Sequence, residues 1–142
     1  MVWGDGGVSR LLPDFENGTF LDSFLRKMSE KENVITHTYD LLKYLVPQLA
    51  KYPRQQKFLL ADRIQLKVME ILDLFIEAYY SSSPQEKAAL LRRVNLQLEK
   101  LRYLIRLSND LRCINEDRYA YISRQVNDIG KQAGGWLKSL AA

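Results

Sequence analysis

The spacing of hydrophobic positions divides the chain into four long helical segments behind a leader. Val34, Leu41, Leu42, Leu45, Leu49 and Tyr52 fall on one stripe and predict a first helix over residues 33–52. Pro47 lies inside that span. A proline removes a donor and crowds the turn before it, so a kink is expected there. Pro53 disfavours α geometry at Tyr52 and is expected to end the helix.

A second helix is predicted over residues 55–80. Asp62, Arg63, Lys67, Glu70, Asp73 and Glu77 fill a narrow polar arc of it. Phe58, Ala61, Ile64, Val68, Met69, Ile71, Leu72, Phe75, Ile76 and Tyr79 fill more than half the circumference. A helix that apolar is expected to touch neighbours on two sides. Ser81, Ser82 and Ser83 break the pattern. Pro84 suits the first turn of a third helix over residues 84–112, with a serine before it as cap and Glu86 near the positive end of the dipole. Its core face is Leu91, Val94, Leu98, Leu101 and Ile105, widened by Leu90, Leu104, Ser108 and Leu111. A fourth helix spans residues 116–140, capped by Asn115. Tyr119, Ile122, Val126, Ile129, Ala133, Trp136, Leu137 and Leu140 share its apolar face.

Connections of a few residues imply antiparallel neighbours. The pattern therefore predicts an all-α, up-down-up-down four-helix bundle over residues 33–142. No segment sustains the alternation of a strand. Residues 1–32 read as an N-terminal extension. Its first part is rich in Gly, Asp and Asn, with Pro13. Residues 19–29 predict a short amphipathic helix, with Thr19 as cap and Phe20, Leu21, Phe24, Leu25 and Met28 on one face.

Composition narrows the chemistry. Cys113 and His37 are the only residues of their types, so disulfide frameworks, Cys-rich zinc sites and His-pair metal sites are not expected. The Gly-rich phosphate loops and the G-x-S-x-G motif are absent, and no Glu-x-x-His pair suggests a di-metal bundle. The expectation is a non-enzyme with no cofactor. His37 reads as a packing or hydrogen-bonding residue, Cys113 as a small apolar contact. Gly130 and Gly134 read as close packing within the bundle. No apolar run approaches the ~20 residues of a membrane span, and the start lacks a signal peptide's pattern. A soluble cytoplasmic protein is expected.

Charge is uneven. Residues 1–32 carry four basic and six acidic groups, −2, while residues 33–142 carry 17 basic and 11 acidic, +6. Residues 81–112 alone carry seven basic and three acidic, +4. Such a concentration suggests a polyanionic partner, or else simply a solvated helix surface. Arg124, Lys131 and Lys138 recur every seven residues along one edge of the fourth helix. Arg102 and Arg106 stack one turn apart on the third, with Arg92 and Arg93 nearer its start and Lys100 between. Basic side chains at such spacing can meet successive phosphates, and counterion release then supplies affinity without sequence specificity. Leu96, Tyr103 and Leu107 form an apolar strip opposite the core face of the third helix. Such a strip marks either an oligomer or partner interface or a thick monomeric core.

Three stretches resemble a known family. They are Tyr39-Asp40-Leu41-Leu42 through Tyr52-Pro53-Arg54-Gln55-Gln56-Lys57-Phe58, Leu98 to Leu107, and Ile129-Gly130-Lys131 with Gly134-Gly135-Trp136-Leu137-Lys138-Ser139. Together they are similar to the accessory variability determinant (Avd) proteins of diversity-generating retroelements. Those proteins overlap the wider four-helix-bundle family encoded within ribosomal RNA intervening sequences. The resemblance covers residues 33–140. It implies a homopentameric barrel of bundles without catalytic activity, which binds the retroelement's reverse transcriptase together with template-repeat RNA and cDNA and supports mutagenic retrohoming. On the family's motifs, Arg102 and Arg106 fall on the basic third helix, and Lys131 and Lys138 on the basic closing segment. The extension, residues 1–32, departs from the family pattern.

The expected role is a polymerase-binding and RNA-binding accessory subunit that self-assembles. Arg92, Arg93, Lys100, Arg102, Arg106, Arg124, Lys131 and Lys138 are the expected phosphate contacts. Leu96, Tyr103 and Leu107 are the expected contacts with another subunit or the polymerase. The alternative is a structural interaction bundle of the ribosomal intervening-sequence type, without a polymerase partner.

Overall fold

A computed structural model describes the backbone of residues 18–141 and the side chains of residues 33–141. The chain divides between Asn33 and Val34 into two compact units, and the second carries the bundle. The helices are α1 (Gly18–Leu49), α2 (Arg54–Gln56), α3 (Asp62–Tyr80), α4 (Pro84–Asp110) and α5 (Glu116–Ala141). A π-helical turn, Lys57–Ala61, joins α2 to α3. No strand occurs among the described residues. The four long helices α1, α3, α4 and α5 agree with the all-α bundle that the periodicity predicts.

The core is the set of stripes read from the sequence. Val34, Leu41, Leu45 and Leu49 of α1 are buried, as are Leu91, Val94, Leu98, Leu101 and Ile105 of α4. Ile122, Val126, Ile129, Ala133 and Trp136 of α5 meet them. Burying one such large aliphatic or aromatic side chain contributes about 1.5–3 kcal/mol. Specific contacts link the helices around and across the core. Tyr44 of α1 packs against Tyr121 of α5, ring centroids 4.8 Å apart. Phe75 of α3 stacks on Trp136 of α5 at 6.4 Å. Lys67 of α3 donates from Nζ to Gln97 Oε1 of α4 at 2.6 Å. Arg102 of α4 donates from Nε to Asn127 Oδ1 of α5 at 3.2 Å.

Helix ends follow local chemistry. Ser83 Oγ accepts the Glu86 N–H at 3.3 Å with Pro84 in the first turn, and Asn115 Oδ1 accepts the Arg118 N–H at 2.8 Å. The carbonyl end of α3 is covered from the next helix. Lys87 Nζ donates to the carbonyls of Ala78 and Tyr79 at 2.8 and 3.1 Å. At the end of α4, Cys113 N–H bonds to Ser108 O at 2.8 Å and Arg112 N–H to Asn109 O at 3.0 Å. That bond pair closes a helix through one left-handed residue, and here the residue is Arg112, with φ 59°.

Four expectations change. The short leader helix and the first bundle helix form one unbroken α1, because Ser29–Asn33 interrupt the apolar pattern without supplying a Gly or Pro breaker. Helix α1 stops at Leu49 rather than Tyr52. Lys51 and Tyr52 N–H groups tighten onto Gln48 and Leu49 carbonyls at 3.1 Å, and Tyr52 enters the core from the turn. Helix α4 stops at Asp110 rather than Arg112, and Leu111 is exposed. The broad apolar arc of the second helix is not covered on two sides. Ile64, Val68, Ile71, Leu74, Phe75 and Ala78 are buried, but Phe58, Leu59, Leu66, Met69, Ile76 and Tyr80 are exposed. A four-helix ring offers α3 only one interior, so the outer half of that arc faces outward.

Candidate nucleic-acid interface

Helices α4 and α5 lie side by side, and their shared edge collects the positive charge. On α4 this edge is identified by Arg102, whose Nε reaches Asn127. On α5 it is identified by Gly130. A β-carbon there would stand 2.9 Å from Arg102 Nη2 and 3.8 Å from Leu98 Cδ1. The absent side chain lets the arginine lie across α5. Arg102 and Lys131 line one crevice of the groove, together with Asn95, Glu99 and Asn127. Farther along, Arg92 and Lys138 line another, floored by Ala88 and Leu137. Arg106 follows Arg102 by one turn, and Arg124 precedes Lys131 by two, so both continue the same edges.

Five of the eight expected phosphate contacts therefore line one groove: Arg92, Arg102 and Arg106 from α4, and Lys131 and Lys138 from α5. Arg124 continues the α5 ladder by spacing, but at its level Tyr119, Ser123 and Asn127 line the groove instead. Two more stand apart. Arg93 and Lys100 stand on the ridge of Gln97, four residues before it and three after, and Gln97 faces α3 through its bond to Lys67. The strip of Leu96, Tyr103 and Leu107 runs between the two basic edges. These three side chains are 54%, 62% and 44% exposed, so they are not part of a thick monomeric core.

Free charge dominates the groove. Among the described residues Arg102 is the one cation of the eight in an ion pair, at 3.0 Å from Glu99. Its bonds to Glu99 and Asn127 fix it as a wall of the groove. Arg92, Arg106, Arg124, Lys131 and Lys138 are exposed and carry no such pair. Glu99, the carboxylate lining these crevices, is engaged by Arg102, so the unpaired cations keep their attraction for an outside anion.

The remaining singled-out residues have structural places. His37 is hydrogen-bonded through both ring nitrogens, to Gln125 and Gln132 of α5. Burial pushes the Cys113 thiol above its usual range. The expected glycine packing holds only at Gly130. Nothing lies within 4 Å of a β-carbon built on Gly134 or Gly135, since both face open space. Sequence reasoning missed Tyr119 as a groove residue. It belongs to the apolar face of α5, yet it is partly exposed beside Arg102 and Arg106. It also missed the left-handed Arg112, which no Gly or Asn at that position signals.

Among the described residues no helix is long and apolar enough to cross a membrane. No curated protein sequence matches the chain. The sequence model of the bAvd-like family matches residues 33–140, the span of the whole bundle. The chain therefore belongs to the bAvd-like family.

Proposed function

We propose that the chain is a non-catalytic accessory subunit of a diversity-generating retroelement, acting in the cytoplasm. It binds the reverse transcriptase and holds template RNA and cDNA near it during mutagenic cDNA synthesis. The observation that carries this function is the α4/α5 groove with its unpaired cations, in a chain of the bAvd-like family. The cations need no fixed base sequence, because phosphate neutralisation is sequence-independent. Holding template and polymerase on one body raises their effective concentration for each other.

Self-assembly multiplies the groove, and a homopentamer is the assembly the Avd resemblance implies. Two exposed faces support association. On α4, exposed Leu96 and Leu107 are flanked by Arg93 and Lys100, with Tyr103 at the rim of that face next to the groove. The outer side of α3 presents Leu66, Met69, Ile76 and Tyr80 interleaved with exposed Asp62, Asp73 and Glu77. One is apolar and basic, the other apolar and acidic. Two different faces that fit each other make a head-to-tail contact, which closes into a ring when its rotation allows.

The test is binding to structured RNA across a salt series. Affinity falls steeply with salt, and the double variant Lys131→Glu, Lys138→Glu binds more weakly with a shallower slope. An unchanged affinity removes those two residues from the interface. The structural-bundle alternative predicts an assembled particle that neither binds RNA nor co-purifies with the polymerase.

A further inference from the structure

The α4/α5 groove changes character along its length. Where Arg92 faces Lys138 its lining is basic and aliphatic. Toward the carboxyl end of α4, Glu99, Arg102, Tyr103, Arg106 and Tyr119 line one open crevice of about 220 Å³. Two tyrosines and two arginines meet there and nowhere else in the groove. Tyr103 is 62% exposed, and among the described residues its ring has no aromatic or cationic partner. Its neighbours differ in freedom. Arg102 is held by Glu99 and Asn127, whereas Arg106 is exposed and unpaired.

A flat, exposed ring beside a free cation suits one chemical unit: an unpaired nucleotide, whose base stacks on the ring while its phosphate meets the cation. A duplex offers phosphates but keeps its base faces stacked inside, so the ring gains nothing from it. The crevice is also smaller than the roughly 300–1,000 Å³ of sites that enclose a whole small molecule. Its size fits one ring entering from an extended strand. Tyr103 also borders the apolar strip. Leu96 and Leu107, by helical spacing, lie on the α3 side of it, while Tyr103 shares its crevice with Tyr119 of α5.

We infer that Tyr103 and Arg106 form a single-nucleotide stacking site, which makes the groove prefer unpaired over paired nucleic acid. This deepens the proposed function and rests on its premise that the groove binds a polyanion.

The experiment compares three ligands at one salt concentration with the full-length chain. They are a single-stranded RNA, the same strand annealed to its complement, and the same strand with abasic positions that keep the phosphates. The variants are Tyr103→Leu, Tyr103→Trp and Arg106→Gln, and the particle mass of each is recorded. Tyr103→Leu keeps apolar bulk and removes the flat ring. It weakens the single strand on the order of tenfold and leaves the duplex unchanged. The abasic strand binds the native chain as weakly as the intact strand binds Tyr103→Leu. Tyr103→Trp restores the preference, and Arg106→Gln weakens all three ligands. Equal losses for single strand and duplex, or no loss, overturn the stacking site while leaving a polyanion groove intact. A changed particle mass with Tyr103→Leu, with parallel losses for every ligand, also overturns it and makes Tyr103 a protein contact. No binding by the native chain to any ligand overturns the groove itself.

Discussion

His37 donates its Nε2–H to Gln125 Oε1 at 2.7 Å, while Gln132 donates to His37 Nδ1 at 2.8 Å. Gln125 and Gln132 are two turns apart on α5, so one imidazole of α1 pins that helix at two levels. With the two amides so oriented, Nε2 is the ring's donor and Nδ1 its acceptor. Replacing His37 by Leu leaves two partly buried amides without their partner. Stability falls by about 1–3 kcal/mol, read as a lower urea midpoint at unchanged slope. A midpoint equal to that of the native chain would show that water replaces both bonds.

Arg112 stands in the left-handed region at φ 59°, where a β-carbon costs about 1–2 kcal/mol. Glycine relieves that cost at the position where helix-closing turns favour it, against some added freedom in the unfolded chain. Arg112→Gly is expected to stabilise by about 1 kcal/mol, and Arg112→Val to destabilise by more. Thermal unfolding of the pair gives the sign of each. A loss with glycine would mean that the arginine side chain makes a contact worth more than the backbone strain.

The glycines of α5 form an internal series. Gly134 and Gly135 have nothing within 4 Å of a built β-carbon, so alanine adds helix propensity without a clash. Each replacement raises stability by up to about 1 kcal/mol. At Gly130 the new methyl meets Arg102 Nη2 at 2.9 Å, and the guanidinium must swing away from Glu99 and Asn127. Gly130→Ala therefore gains less than the other two, and it alone alters RNA binding. Equal gains at all three positions would remove Gly130 from any role in seating Arg102.

The upper pH limit follows from two acids whose proton loss burial disfavours, Tyr52 in the core and the half-buried Cys113. Burial raises Tyr52 above its ordinary 10.0, and a hydrogen bond to Ser108 opposes part of that. Burial likewise raises Cys113 above 9.0. Both groups bind their proton more tightly when folded, so their contribution to stability is complete below the ordinary values. It is lost as pH rises through them toward the folded values. Stability is expected to decline from about pH 9 upward, and Cys113 is alkylated more slowly at pH 8 than an exposed thiol. Tyr52→Phe removes the tyrosine part of the alkaline decline. An identical decline in that variant would assign the whole effect to other groups.

Local repetition determined most of the fold. The stripes Leu91–Ile105 and Ile122–Trp136 are buried as their 3.6-residue spacing requires, and Ser83 and Asn115 cap the helices they precede. These features depend only on neighbours within a few residues, so the chain states them directly. The exposed strip on α4 and the unpaired ladder Arg124, Lys131, Lys138 are legible for the same reason. What the tertiary structure alone decided is which neighbour each helix edge faces. Periodicity places Arg93 and Arg106 on the polar side of α4, but it does not say which flank meets α5. The Arg102–Asn127 and Lys67–Gln97 bonds answer that, gathering five cations along one groove and leaving Arg93 and Lys100 apart. The same holds for α3, whose apolar arc is wider than one bundle interior, so only packing sorted Phe75 inward and Leu66 outward. A helix carries its own hydrophobic stripe in its sequence. The partner on each side of that stripe is a property of the whole assembly of helices.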